Sequence, residues 1–125
     1  MTSLTDFMGE MMENVSGQRQ EAKVKQSRKN HIRNSIHRVL AGSDYYESCL
    51  GYSGEDLRQH LSNLFHDGMD WQNFGEWQID HIIPVSIFMR SGIYDVKMVN
   101  SLSNLRPVWT LENASKGTRI VGPAQ

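Results

Sequence analysis

Apolar residues near the start of the chain recur at the three- and four-residue spacing of an amphipathic helix. One face of this helix is formed by Leu4, Phe7, Met8, Met11, Met12 and Val15. Gly17 predicts a break after it, because glycine weakens a helix interior. A second helix is expected to follow, with its apolar positions confined to Ile32–Leu40 and Gly42 as its stop signal.

The middle of the chain carries a more regular helical pattern. Ser53 and Asp56 have the serine–acid spacing of a capping box, which marks the start of a helix. The apolar stripe that follows consists of Leu57, Leu61, Leu64 and Phe65. Gly68 predicts the end of this helix, and the segment before Ser53, with Tyr45, Tyr46 and Cys49, is predicted to be a loop.

Beyond Trp77 the sequence favours strands. The run from Trp77 to Phe88 is rich in β-branched residues, and Pro84 divides it, which predicts two short strands or a hairpin. Three further elements are predicted: a short helix over Tyr94–Leu102, a strand over Leu105–Trp109 and a closing helix over Leu111–Thr118 capped by Thr110. The pattern therefore predicts an α+β fold with helices in the first half.

Length and composition narrow the class of protein. The 125 residues amount to one domain, and 38% hydrophobic with 22% charged residues is typical of a globular chain. The longest apolar run, Ile82–Met89, is interrupted by Pro84 and falls short of the ~20 residues that span a bilayer. The acidic N-terminus does not resemble a secretory signal. Cys49 is the single cysteine, which excludes an internal disulfide or a cysteine-based zinc cluster and favours a reducing cytoplasm.

Charge is distributed unevenly along the chain. The net charge of −1 conceals a basic segment, residues 19–38, that holds seven bases against Glu21, a net +6. Such a block is a plausible nucleic-acid-binding face. On charge alone, a solvated helix explains it slightly better.

Polar residues that could catalyse a reaction or bind a metal ion lie in three segments of the second half: Gln78–Pro84, Ser103–Pro107 and Glu112–Gly117. Asp80 stands beside His81, and imidazole is the usual general base near neutral pH. A carboxylate together with an amide oxygen suits Mg²⁺, which keeps several waters and few protein ligands. Asn113 and Lys116 are three residues apart on the predicted closing helix, and hence on one face.

Each of these residues also has an ordinary structural interpretation. An adjacent Asp and His most often make a surface hydrogen bond, and an asparagine before a strand is usually a turn residue. A lysine such as Lys116 near a helix C-terminus complements the helix dipole. It is the joint spacing of these residues that favours a reactive site.

In combination, these segments resemble the HNH endonuclease family, a branch of the ββα-metal nucleases. The family pattern is an acid–His pair on the first strand, a central Asn in the loop and a final His or Asn on the helix. Asp80–His81, Asn104 and Asn113 match it. Residues 68–77, 104–107 and 112–117 also resemble a subgroup from phage and bacterial genomes, and the resemblance covers about Cys49 to Ile120.

The resemblance implies a ββα-metal (HNH) nuclease module over residues 49–125, preceded by an N-terminal helical region over residues 1–48. It implies a metal-dependent DNA endonuclease that hydrolyses phosphodiester bonds, by nicking or by double-strand cutting. His81 would be the general base, oriented by Asn104, while Asp80 and Asn113 would bind one divalent cation. The residues expected to contact DNA phosphates are Lys116, Arg106, Arg119, Lys25, Arg28 and Lys29.

Two departures from the family pattern refine the expected cofactor. Trp109 and Glu112 stand where many relatives carry the second cysteine pair of a zinc knuckle. We therefore expect no structural zinc, with Trp109 as an apolar anchor instead. Asn113 stands where many members have His, and an amide oxygen is a harder ligand, which favours Mg²⁺ or Mn²⁺ over Zn²⁺ or Ni²⁺.

Two other functions stay open at this level. One is a non-catalytic DNA- or protein-binding module that retains the HNH fold, and the other is a nuclease of the same site type acting on RNA. DNA is the expected partner, in the cytoplasm of a bacterial host cell and without a membrane. A homodimer through the Met8, Met11 and Met12 face, or a phage packaging partner, is left open.

Overall fold

The computed structural model describes the backbone of residues 4–116 and the side chains of residues 17–114. Within that range the helices are α1 (Leu4–Leu40), α2 (Asp44–Leu50), α3 (Gly54–Ser62), α4 (Val85–Arg90), α5 (Val96–Val99) and α6 (Thr110–Lys116). The strands are β1 (Trp77–His81) and β2 (Leu105–Trp109). Short 3₁₀ turns lie at Trp71–Asn73 and Leu102–Asn104. The predicted α+β class is confirmed.

Helix α1 runs through Gly17, so the predicted break at this residue is wrong. An exposed glycine destabilises a helix by only about 1 kcal/mol, and a run of good helix formers, residues 18–23, follows it here. Gly42, with a φ of 92°, follows the end of α1 as predicted. The chain divides into two compact units, one up to His31 and one from Ile32 onward. The boundary expected from the sequence, between the helical region and the nuclease module, follows residue 48.

The segment predicted as a loop around Tyr45 and Cys49 is helix α2, so that prediction is wrong. Its start is stabilised by the Ser43 side chain, which accepts a hydrogen bond from the Tyr46 backbone N–H at 3.3 Å. Gly51, with a φ of 80°, ends it. A Ser-Asp pair ahead of an acidic residue is an N-terminal helix signal that sequence reasoning overlooked here.

The capping box of α3 is confirmed. Ser53 Oγ accepts from the Asp56 N–H, and Asp56 Oδ2 accepts from the Ser53 N–H, each at 3.0 Å. The helix ends at Ser62 rather than near Gly68, so the predicted apolar stripe extends beyond the end of the helix. Leu57 and Leu61 are fully buried, but Leu64, beyond the helix, is 45% exposed.

Two apolar clusters form the core of the unit that begins at Ile32. The first consists of Ile36, Val39, Leu50, Leu57, Leu61 and Leu105. The second consists of Ile32, Val85, Met89 and Val99. The C-terminal part of α1 contributes to both, which is why its apolar positions cluster there.

Strands β1 and β2 pair antiparallel, with Asp80 opposite Arg106 and His81 opposite Leu105. The predicted strand over Leu105–Trp109 is confirmed, but a second strand after Pro84 is wrong because Val85–Arg90 is helix α4. Pro84 lacks an amide hydrogen and lies at the N-terminus of this helix, where none is needed.

The bounds of the remaining predicted elements differ from those expected. Helix α5 occupies four residues of the predicted Tyr94–Leu102 helix. Helix α6 starts at Thr110, where a cap was expected, and contacts both strands. Its predicted end at Thr118 lies outside the described residues.

Trp77, at the N-terminal end of β1, anchors this end of the sheet. Its ring is fully buried and lies 4.6 to 5.1 Å, between centroids, from three other aromatic rings, those of Phe65, Trp71 and Phe74. Its indole N–H donates to the Asp70 carbonyl at 2.6 Å. Trp109, expected as the anchor, is only half-buried and lies opposite Trp77 in the sheet. The principal anchor is therefore the cross-strand neighbour of the predicted residue.

Candidate active site

Asp80 and Arg106 form a buried ion pair across the two strands. Arg106 Nε lies 3.1 Å from Asp80 Oδ2, and the two residues are 8% and 7% exposed. The pairing follows from the sheet register, which places the two residues opposite each other. Arg106, expected to contact DNA phosphate, thus bonds a carboxylate of its own chain, and its phosphate contact stays a prediction.

His81, the last residue of β1, is 9% exposed and bonded to an asparagine that sequence reasoning missed. Its Nε2 lies 2.6 Å from Oδ1 of Asn100, the residue that caps the C-terminus of α5. The amide of Asn100 in turn donates from Nδ2 to the Ile32 carbonyl of α1 at 2.8 Å. The imidazole is therefore linked through the Asn100 side chain to the C-terminal part of α1, which packs in the core.

Asn104 binds the backbone that follows His81. Its Oδ1 accepts from the Ile83 N–H at 2.8 Å, and its Nδ2 donates to the carbonyls of Ile83 and Val99 at 3.2 and 2.9 Å. Its own carbonyl accepts from the Ile82 N–H at 2.8 Å. Asn104 thus joins the start of β2 to the two residues that leave β1, which fixes the direction of the chain beyond His81.

Two further side chains support the backbone around this polar cluster. The Tyr52 hydroxyl donates to the Asn100 carbonyl at 2.7 Å, and burial raises the pKa of this phenol, so it remains a donor. His60 bonds through Nε2 to the Leu105 carbonyl at 2.8 Å. Leu105 is the strand partner of His81, so His60 holds the backbone of the residue opposite His81.

Helix α6 carries the remaining predicted residues of the site. Asn113 is partly buried on this helix, which contacts both strands. Lys116 is the last residue of α6, but its side chain lies outside the described residues, as does the whole of Arg119.

The predicted phosphate contacts of the basic segment lie in the other compact unit. Lys25, Arg28 and Lys29 are on α1 before His31, with Lys25 and Arg28 exposed and Lys29 less so. Their binding to DNA remains a prediction that rests on charge.

The two predicted ligands, Asp80 and Asn113, are oxygen donors of the kind that a hard divalent cation prefers. Asp80 offers a carboxylate, which has about four lone-pair positions, one of which accepts from Arg106 Nε. Asn113 offers an amide oxygen, and oxygen donors of both kinds are ligands for Mg²⁺. Among the described residues no group of three or more His, Cys, Asp and Glu side chains gathers as a metal site. A ligand pair of one Asp and one Asn is of another kind, and it stays a prediction.

Comparisons with known proteins add a relative without a described activity. No protein-family model matches the chain, and no solved structure matches it. A similar curated protein is an uncharacterized protein of Acanthamoeba polyphaga mimivirus, 29% identical over 94 residues. The match covers 72% of this chain and 41% of the viral protein, so the chain spans less than half the length of that relative.

Hydropathy of the helices bears on membrane association. In the part of the chain that the structure describes, no helix combines the length and the apolar character needed to cross a bilayer.

Proposed function

We propose that this chain is a metal-dependent DNA endonuclease of the HNH type, in which His81 acts as general base. The observation that supports the proposal is the polar arrangement at the C-terminal end of β1. Asp80 and His81 are adjacent there, and Asn104 binds the backbone that directly follows them. Helix α6, which directly follows β2 and contacts both strands, also supports the proposal.

The proposed reaction is hydrolysis of a phosphodiester bond. His81 takes a proton from a water molecule, whose oxygen attacks the phosphorus as the bond to the 3′ oxygen breaks. The leaving oxygen acquires a proton from solvent, which gives a 3′ hydroxyl and a 5′ phosphate. Asn104 acts through His81, because its bonds to Ile83 hold the chain direction that aims the imidazole.

Asp80 and Asn113 would hold the divalent cation, Mg²⁺ or Mn²⁺. When bound, such an ion polarises the scissile phosphate and stabilises charge on the leaving oxygen. Arg106 holds the Asp80 carboxylate through Nε, and its other guanidinium N–H groups are the proposed donors to a DNA phosphate. Lys116 and Arg119 are proposed to make further phosphate contacts.

The test is conversion of supercoiled plasmid by the purified chain in EDTA, Mg²⁺, Mn²⁺ or Zn²⁺. We expect open-circular or linear product with Mg²⁺ or Mn²⁺ and none in EDTA, with 5′ phosphates on the product ends. The ratio of open-circular to linear DNA separates nicking from double-strand cutting. Metal-dependent cleavage of RNA, with plasmid left intact, would replace DNA by RNA as the substrate.

One observation favours the alternative of a DNA-binding module that lacks catalysis. Asp80 and His81 are both nearly buried and both are bonded within the protein, as structural residues often are. The same protein in a gel-shift assay separates the two functions. A folded chain that shifts DNA but converts no plasmid with any of the ions would favour the binding module.

A further inference from the structure

We infer that Asn100 is a positioning residue that determines which nitrogen of His81 takes the proton. Asn100 holds the hydrogen on Nε2, so the reactive lone pair is on Nδ1. The catalytic consequence rests on the proposed function, whereas the hydrogen-bond assignment rests on contacts within the protein.

The orientation of the Asn100 amide follows from its two partners. The Ile32 carbonyl can only accept a hydrogen bond, so the group that faces it at 2.8 Å must be the Nδ2 donor. Reversing the amide would bring two acceptor oxygens together in a buried position. Oδ1 therefore faces His81, and because an amide oxygen also only accepts, Nε2 of His81 must donate across the 2.6 Å separation.

The rest of Asn100 is equally constrained. The residue is fully buried, and its backbone N–H donates to the Val96 carbonyl at 2.9 Å. Its own carbonyl accepts from the Tyr52 hydroxyl at 2.7 Å. A side chain anchored in this way orients its partner, because leaving any of these buried polar groups unpaired is unfavourable.

This arrangement suits a general base. A neutral imidazole with its hydrogen on Nε2 can accept a proton only at Nδ1. After accepting it, the imidazolium still donates from Nε2 to the Asn100 oxygen, which is not basic enough to remove that hydrogen. His81 can thus return the proton from Nδ1 and begin another cycle with the same ring orientation.

The test is ¹⁵N NMR of the full chain with labelled histidine, without metal and at a pH where imidazole is neutral. The His81→Ala spectrum identifies the His81 signals among those of the five histidines. We expect a protonated Nε2 and an unprotonated Nδ1 in the wild type. Asn100→Leu should lose this single tautomer, whereas the control Tyr52→Phe should keep it, because both side-chain bonds of Asn100 remain.

A hydrogen on Nδ1 in the wild type, or a tautomer unchanged in folded Asn100→Leu, would overturn the inference. If Asn100→Leu does not fold, the wild-type spectrum still shows which nitrogen of His81 carries the hydrogen. In the plasmid assay, Asn100→Leu should lower kcat on the order of 10- to 100-fold with little change in KM, as for other residues that orient catalytic groups. A wild type with its hydrogen on Nε2 but without nuclease activity would support the assignment and contradict the proposed function. An active wild type with its hydrogen on Nδ1 would support the proposed function and contradict the assignment.

Discussion

The two ends of strand β1 are both buried, but in opposite chemical surroundings. At the N-terminal end, Trp77 packs against aromatic rings and makes one hydrogen bond to a backbone carbonyl. At the C-terminal end, Asp80 and His81 are bonded to Arg106 and Asn100. One five-residue strand therefore joins an aromatic cluster to a polar cluster.

The difference separates the end that stabilises the fold from the end at which we propose that the chemistry takes place. Aromatic pairs contribute about 0.5–1.5 kcal/mol each beyond the burial of their area. A buried ion pair contributes little net stability, since desolvation offsets the attraction. A polar cluster in the place of an apolar one is thus better explained by function than by stability.

Replacing Trp77 by Ala should produce the largest loss of stability. The change removes a fully buried ring that packs against three aromatic neighbours, so we expect a loss of about 3–5 kcal/mol in urea unfolding. The matched control is Phe74→Ala, which should be less destabilising because Phe74 is 39% exposed. Equal effects of the two substitutions on stability would contradict the assignment of Trp77 as the anchor.

Replacing Asn104 by Ala should affect stability and activity together. The Ile83 N–H loses its acceptor, and the carbonyls of Ile83 and Val99 lose a donor, so we expect a loss of about 1–3 kcal/mol. Urea unfolding and plasmid cleavage measure the two effects. A destabilised variant that cleaves at the wild-type rate would show that Asn104 supports only the fold.

Replacing Asn113 by Ala should weaken metal dependence. The loss of an oxygen ligand should raise the Mg²⁺ concentration for half-maximal cleavage by about tenfold or more. Asn113→Asp is the matched control, because it retains an oxygen ligand and should keep a low Mg²⁺ concentration for half-maximal cleavage. Identical Mg²⁺ titrations for Asn113→Ala and the wild type would remove Asn113 from the proposed ligand set.

Neutralising Lys25, Arg28 and Lys29 to Gln should have the smallest effect. The slope of log affinity against log salt should fall by roughly 0.9 for each of these side chains that binds a phosphate in the wild type. Arg90→Gln with Lys97→Gln, two exposed bases elsewhere in the chain, should leave the slope unchanged. If the triple variant also keeps the wild-type slope, the basic segment is a solvated helix face.

Local signals in the sequence predicted the elements that depend on near neighbours. The α3 capping box was predicted correctly because Ser53 and Asp56 satisfy each other across three residues. The run after Pro84 was predicted as strand from its β-branched residues but forms α4. Its Val85 and Met89, one helical turn apart, are both buried with Ile32 and Val99. Tertiary packing outweighed intrinsic propensity there.

In the candidate site, too, local signals in the sequence predicted only some of the residues. Asp80 and His81 were singled out because they are adjacent, and Asn104 because it matches the central Asn of the pattern that the sequence resembles. Asn100 was not identifiable, since its partners His81 and Ile32 are 19 and 68 residues away in the sequence. The pairing of Arg106 with Asp80 depends on strand register, which the wrongly predicted hairpin obscured.

The central claim is tested most directly by the rate of plasmid cleavage in Mg²⁺ for His81→Ala beside the exposed-histidine control His37→Ala. We predict a loss on the order of 10²- to 10⁴-fold for His81→Ala and none for His37→Ala. His81→Ala should fold, with a stability loss of about 1–3 kcal/mol because Asn100 Oδ1 loses its donor. Cleavage by folded His81→Ala at the wild-type rate would contradict the account.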